Sequence, residues 1–491
     1  MLAATNQGTV YFAAGTYLIS AQIQLKNNVQ LMGGYAADGS GTRNLLTNQT
    51  ILDGQFNKRI LYTGDNTPIV AFNKITKVDG FVLQRGSSSY GSAVAMSIGT
   101  VLENCIIRNN NGSTYGAAVF IKKHATISSP TNGWNQASAL INCVIVNNSS
   151  SGYAAAVFVN QDSHTSIINC VIANNKSTDA TNGVGGVWLG TNIRYSRISN
   201  NIYYNNSSTV SGRNNFYYSA ADLAGTFNNY YSDAAFPNTS ITALNGNKTS
   251  TDIASPDFAS PTSFQGYNAT KMDEIANADW RLKSTSGLIG LGSIVSGRAD
   301  VAYPYVATAF GGVARAFSTV ITDVQGSNRV INTTVEMGAY EYNPVIVTTA
   351  SSDVVKGTVS VATTVSKGSS VTVIASPTTG NKFVKWNDGA SDVSTSSSYT
   401  FIPTANVTLT ATFEVDLGTS VNNPTETAKL MLNGRSMQIQ NFEGIVRVYN
   451  TVGKLVAEKM NNATIALNNG GIYVVKLQSA LGNEVYKVLV K

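Results

Sequence analysis

Between Val78 and Tyr231 short apolar segments alternate with clusters of Asn, Gly and Ser, and three of the segments are near copies: LENCIIRNN from Leu102, LINCVIVNN from Leu140 and IINCVIANN from Ile167. Each is followed by a Gly/Ala-rich run that ends in a second apolar segment, GAAVFI from Gly116, AAAVFV from Ala154 and GGVWL from Gly185, so the repeated unit reads as two strands. Degenerate copies flank them, VDGFVLQRG from Val78 with SAVAM from Ser92, and ISNNIYYNN from Ile198. With Gly80, Cys105, Cys143, Cys170 and Asn201 taken as equivalent, the steps are 25, 38, 27 and 31 residues. A step that varies around constant strands predicts loops of variable length leaving a fixed rung. No helical period separates the strands, so the pattern predicts a parallel β-helix whose turns stack at roughly 4.8 Å.

Stacking places equivalent side chains above one another. Asn109, Asn147, Asn174 and Asn205 are expected to form an amide ladder at a turn. Cys105, Cys143 and Cys170 are expected to form a buried column of small hydrophobes. A metal reading of these cysteines needs ligand pairs, and with His124 and His164 the only histidines there is no CxxC and no ligand spacing. A disulfide between adjacent rungs would leave one thiol over.

Fifteen residues after Cys105 and Cys143 stand Phe120 and Phe158, the loop-lengthened next rung gives Trp188, and Gly80 gives Ala95. Their neighbours Val119, Val157, Val187 and Ile121, Val159, Leu189 suit a core, so alternation turns the rings outward. Exposed rings one rung apart would make a flat apolar strip suited to the faces of pyranose rings. Trp134, in the insert from Lys122 to Ser138, joins Phe120, Phe158 and Trp188 as a glycan-binding candidate. The alternative is that this insert, or the chain after Tyr231, folds over the strip.

Polysaccharide lyases and hydrolases need paired carboxylates, or a carboxylate cluster holding Ca²⁺ beside a cationic base, on successive rungs. In the alignment on Gly80 the acids do not stack, and the nearest approach is Asp79 with Glu103, followed by Arg85 and Arg108. These four are the catalytic candidates, against the reading that they are ordinary surface variation. His124 and His164 lie in loops without a nucleophile motif. No Gly-rich phosphate loop opens a helix, so no cofactor is expected, Ca²⁺ entering only with a lyase site.

Only 12% of the 491 residues are charged, which with the richness in Gly, Asn, Ser and Thr suits a solenoid with accessory domains rather than one core. The net charge of +6 has no basic run, so nucleic acid is not an expected partner. No apolar stretch approaches the roughly 20 residues of a membrane helix. The chain enters at once on strand-like GTVYFAAGTYLIS, so Met1 is read as the start of a mature fragment or a trimmed chain rather than of a full precursor.

The solenoid is assigned to residues 1–345, with 232–345 looser than the rungs before it. Its opening (AAGTY, LKNNVQLMGGY, TILDG), DWRLKSTSGLIGLGS from Asp279 and TDVQGSNRVINTTVEMGAYEY from Thr322 resemble the choice-of-anchor Q domain proteins of bacterial surfaces, which are similar to pectate-lyase-like β-helices. That resemblance implies a right-handed β-helix that is secreted or surface-displayed, and it implies no activity. Residues 346–415 alternate Val, Thr and Ser in five short strands. They resemble the divergent internalin-type B-repeat, carrying Ala375 to Pro377, Gly380 to Trp386 and Leu409 to Phe413, with Trp386 expected in the core. A polar linker, 416–428, leads to a strictly alternating tail, 429–491, expected to be a separate β-sandwich. Gly444 to Lys454, Asn469 to Leu477 and Lys487 to Lys491 make the tail resemble the C-terminal sorting domain of type IX secretion in Bacteroidota. That resemblance implies a partner in the type IX machinery, export across the outer membrane, and surface attachment.

The sequence therefore predicts an all-β chain, a parallel β-helix followed by two small β-sandwich-like domains, secreted and attached to the cell surface. Its expected partner is an extracellular polysaccharide or host glycan. A polysaccharide lyase or glycosidase, and a structural stalk or adhesin, are the alternatives.

Overall fold

The computed structural model describes residues 8–26, 29–63, 76–96, 99–116, 118–122, 138–161, 163, 165–193, 197–221, 226–237, 241–293, 322–326, 328–329, 335–366, 370–416, 428–480 and 482–491. The chain divides into two compact units, one holding 1–348 and the other most of 349–491. Among the described residues no helix is long and apolar enough to cross a membrane.

The first unit is a parallel β-helix. One sheet of eight strands runs from Gly8–Ala13 through Thr76–Asp79, Thr100–Glu103, Ser138–Ile141 and Thr165–Ile168 to Thr226–Phe227. A second, of nine, includes Phe81–Gln84, Ile106–Arg108, Val144–Val146, Val171–Ala173 and Ile202–Tyr204. A third, of seven, includes Val94–Met96, Val119–Ile121, Val157–Val159, Val187–Ile193 and Phe216–Ala221. Between the second and third lies a narrow sheet of five, from Ser87–Tyr90 and Asn111–Tyr115 to Ser207–Ser208.

A rung thus carries four strands where the apolar pattern suggests two. The reason is the Asn inside each apparent strand: Asn104, Asn142, Asn169 and Asn200 all have φ of 53–55°. Asn tolerates this left-handed conformation, and it turns the chain from the first sheet into the second within an apolar run. Gly80 takes the same corner with φ of 80°, and Asp79 pairs with Glu103, so Gly80 is equivalent to Asn104 and not to Cys105. Phe81 then occupies the cysteine column in the core, and Cys105, Cys143 and Cys170 follow it as buried free thiols. The core stacks like on like: Ile107, Ile145 and Ile172 lie in register, and each buried side chain of this size contributes about 1.5–3 kcal/mol.

The amide ladder exists, but one residue away from its expected place. Asn109, Asn147, Asn174 and Asn205 are left-handed turn residues with φ of 50–54°. Asn205 donates to Asn174, while Asn109, Asn147 and Asn174 donate to the carbonyls of Asn268, Phe264 and Thr262 on the returning chain. The next residues form the continuous ladder: Asn110 to Asn148, Asn148 to Asn175 and Asn175 to Asn206, each Nδ2 to Oδ1 at 2.9 Å. The same oxygens accept the backbone N–H of the preceding rung, so each buried amide is fully used. The corner asparagines form another ladder at 3.1–3.2 Å from Asn200 down to Asn104, which donates to Asp79.

The chain beyond the last rungs returns along the outside of the second sheet. Phe258, Trp280, Leu282, Leu288, Val324 and Met337 pack on the outward Val144, Val146, Val171, Ala173, Ile202 and Tyr230. Within this cover, Arg329 and Glu341 form a wholly buried ion pair at 2.9 Å.

Residues 344–415 form a five-stranded and a three-stranded sheet, with antiparallel pairs such as Trp386 opposite Ala411, and Trp386 is buried as expected. Residues 429–490 form a three-stranded and a four-stranded antiparallel sheet that share one core, Met437, Ile439 and Ile465 meeting Val446, Val448, Val475 and Leu477.

Candidate functional site: an aromatic cleft on the third sheet

The outward positions of the third sheet are Tyr62, Ala95, Phe120, Phe158, Trp188 and Tyr217, one per rung and in register. Their strand neighbours Val119, Ile121, Val157, Val159, Val187 and Leu189 belong to the solenoid core, as alternation requires. Phe120 and Phe158 lie 5.8 Å apart at 19°, and Phe158 and Trp188 6.0 Å apart at 22°. The stack is present, but it is not an exposed strip: Phe120, Phe158 and Trp188 are 7%, 5% and 8% exposed.

What covers them is a second aromatic column, which strand alternation alone does not reveal. Tyr90, Tyr115 and Tyr153 stack on one another at 5.3 and 4.8 Å. They meet the floor rings at steep angles, Tyr90 on Phe120 at 68°, Tyr115 on Phe158 at 56° and Tyr153 on Trp188 at 78°. The first and last of these are edge-to-face contacts, which suit the ring quadrupoles, and the middle one is tilted. The signal was available, because each tyrosine stands five residues before Ala95, Phe120 or Phe158. Trp134 and His124, in the insert once expected as a cover, and His164 lie outside the described residues.

The two columns leave a cleft of about 310 Å³ lined by Tyr90, Tyr115, Tyr153, Phe120, Phe158 and Trp188, with Asn160, Gln161, Gly190, Thr191 and Ser219 opposite the tyrosines. One wall is therefore aromatic with hydroxyl tips, and the other is amide and hydroxyl. Gly190 lets its rung pack closely on the one below, since a Cβ there would meet the Gln161 backbone nitrogen at 2.7 Å. Burial, then the neighbouring Tyr153 and Tyr90, push the Tyr115 hydroxyl up, so it stays a neutral donor. Cations sit at both ends: Arg213 stacks on Tyr217 at 3.9 Å and reaches over Trp188, and Lys122 binds the Tyr62 hydroxyl. Pairing apolar ring surface with a few polar groups that fix orientation is what a sugar site requires.

The four catalytic candidates are divided. Asp79 and Glu103 do stack, contrary to the alignment on Gly80, and Lys77 bridges them at 2.8 and 2.5 Å. Arg43 also binds Asp79, at 2.7 Å. Burial raises the Asp79 carboxyl, but Lys77 and Arg43 outweigh it and hold the group below its ordinary value. Burial lowers Lys77, and Glu103 and Asp79 outweigh that, so the ammonium titrates above its ordinary value. Arg85 is on another corner, bound to Asp53 at 2.6 Å. Arg108 donates to Gln84 and to the Ala276 carbonyl, and burial brings its guanidinium down to about 10. No cluster of three or more metal-ligating side chains occurs among the described residues.

Residues 1–230 match the family model described as Rhamnogalacturonase A/epimerase, pectate lyase-like, and residues 347–417 match the Divergent InlB B-repeat domain. No curated protein and no solved structure is significantly similar to the chain. The chain thus opens on a β-helix similar to the pectate-lyase-like family, a fold compatible with polysaccharide interaction, and continues into a divergent InlB B-repeat domain.

Proposed function

We propose that this chain is a secreted, surface-attached β-helix protein that binds an extracellular glycan in the aromatic cleft. The observation that carries the reading is the pairing of the Tyr90, Tyr115, Tyr153 wall with Asn160, Gln161, Thr191 and Ser219 across one groove. The match of the first 230 residues to a pectate-lyase-like family supports a polysaccharide as the ligand. Export and attachment rest on the motifs at Gly444 to Lys454 and Asn469 to Leu477, which resemble a type IX sorting domain, and surface display follows the choice-of-anchor Q resemblance of the solenoid.

A lyase or glycosidase reading is favoured by one observation, the Asp79 and Glu103 pair on adjacent rungs. Both acids are already engaged by Lys77, and an acid or base must be free to exchange its proton with substrate. Incubation with a panel of pectic, plant and host polysaccharides separates the readings: retention without new reducing ends or unsaturated products is expected. In the producing cell, deleting residues 429–491 is expected to abolish surface display while the remaining chain accumulates. Unimpaired display would refute the sorting role.

A further inference from the structure

The cleft repeats with the rung. Wall tyrosines recur at 5.3 and 4.8 Å and floor rings at 5.8 and 6.0 Å, all along the solenoid axis. Backbone positions of the polar wall repeat likewise, Asn160, Gly190 and Ser219 being equivalent on three successive rungs, with a polar side chain on the first and third. A terminal sugar or a branch point would need one deep, unique subsite. This groove instead offers nearly the same subsite several times, open along its length.

Ring orientation adds a second constraint. Phe120, Phe158 and Trp188 lie within 22° of parallel from one to the next, so each covers part of the next face, and tyrosines lean on them from one side. No single ring offers a broad platform. Contact area accumulates only for a ligand that touches several rungs at once, and such a ligand must have a period close to the strand spacing of roughly 4.7–4.9 Å.

We infer that the cleft selects an extended β-(1→4)-linked polysaccharide laid along the solenoid axis, one sugar per rung, over glycans that coil or present only a chain end. Bonds that are equatorial at both C1 and C4 keep such a chain extended, with a sugar repeat close to a rung. An α-(1→4) glucan, axial at C1 and equatorial at C4, coils out of register. The inference rests on the glycan-binding reading and specifies its ligand. Three rungs carry a floor ring that lines the cleft, at Phe120, Phe158 and Trp188, so three sugars fill it.

The test is calorimetric titration of the full chain with β-(1→4) gluco-, manno- and xylo-oligosaccharides of one to six sugars, against α-(1→4) gluco-oligosaccharides of the same lengths. Affinity for at least one β series is expected to rise with each sugar up to three and then level off. The α series is expected to bind at least tenfold more weakly at three sugars. Tyr153→Ala, which removes one rung's wall, should lower three-sugar affinity about tenfold while leaving the melting temperature within a few degrees. Equal affinity for both linkages, affinity that does not grow with length, or retention only of branched glycans would overturn the inference while leaving glycan binding intact. If nothing in these series and no polysaccharide of the wider panel binds, the glycan-binding reading fails and the inference with it.

Discussion

Two outer faces of one solenoid met the same problem and solved it differently. The second sheet turns Val144, Val146, Val171, Ala173 and Ile202 outward, and the chain's own later residues, Trp280 and Phe258 among them, bury that face. The third sheet turns Phe120, Phe158 and Trp188 outward, and tyrosines from the adjoining edge, one per rung, lean over them and leave the cleft. An aliphatic face has no polar atom to offer water or a ligand, so only more chain can satisfy it. Tyrosine brings an apolar ring and a hydroxyl together, so a tyrosine-walled face can stay partly wet and hold a polar partner. The covered face is therefore stability, and the cleft is the face that we propose for recognition.

If that contrast is right, Trp280→Ala should have the largest effect on stability. The side chain is buried against the second sheet, and its loss is expected to cost about 3–5 kcal/mol while glycan retention at low temperature stays unchanged. Phe158→Ser tests the boundary between the two roles. As a buried floor ring it should cost about 3 kcal/mol in stability and also weaken binding, both read from one set of melting and titration curves.

A third face, held by ions, should respond to pH where the other two do not. The Asp79 carboxyl is depressed, so its contribution is present above its unfolded value near ~3.9 and is lost as pH falls through the folded value. Lys77 is raised, so its contribution is present below ~10.4 and is lost only as pH rises through the higher folded value. Asp79→Asn should therefore lower stability by about 2 kcal/mol at neutral pH, with the gap to the parent protein closing as pH drops below about 4. A gap that stays constant down to pH 2 would mean the carboxylate contributes nothing.

Tyr153→Ala should move stability least and binding most. Tyr153 is only half-buried at the rim, and truncating an aromatic anchor typically costs ~1–3 kcal/mol of binding. A melting-temperature loss as large as that of Phe158→Ser, with binding intact, would erase the distinction between wall and floor.

The rungs were legible because burial repeats the same residue types at each step: LENC, LINC and IINC announce their own register. Corners were harder. An Asn in the left-handed conformation sits between two apolar strands without interrupting the apolar pattern, so Leu102 to Arg108 reads as one strand and folds as two. The slip at Gly80 has the same origin, since what it shares with Asn104 is a positive φ rather than a side chain. In each Asn-Asn pair the sequence shows two identical residues, and only the backbone turn at the first, Asn147 for example, aims the second, Asn148, into the ladder. Phe120 and Phe158 follow from a fixed step after the cysteine column, and Trp188 from the loop-lengthened one. The tyrosines lie outside any apolar run, because Tyr90 and Tyr115 end strands of the narrow sheet, which carries no apolar pattern. The covering residues, such as Phe258, Trp280 and Met337, belong to no repeat, so their position on the second sheet could not be read from the sequence.

The account stands or falls on where a glycan touches the molecule. Hydroxyl-radical footprinting of the full chain, with and without a retained polysaccharide, reads tyrosine accessibility residue by residue. The cleft supplies the reporter Tyr90, 42% exposed, with Tyr115 and Tyr153 beside it, and Tyr11 and Tyr267, 64% and 40% exposed, are controls away from it. The account predicts protection of Tyr90, Tyr115 and Tyr153 with Tyr11 and Tyr267 unchanged. Protection of the controls with the cleft tyrosines still reactive would contradict it.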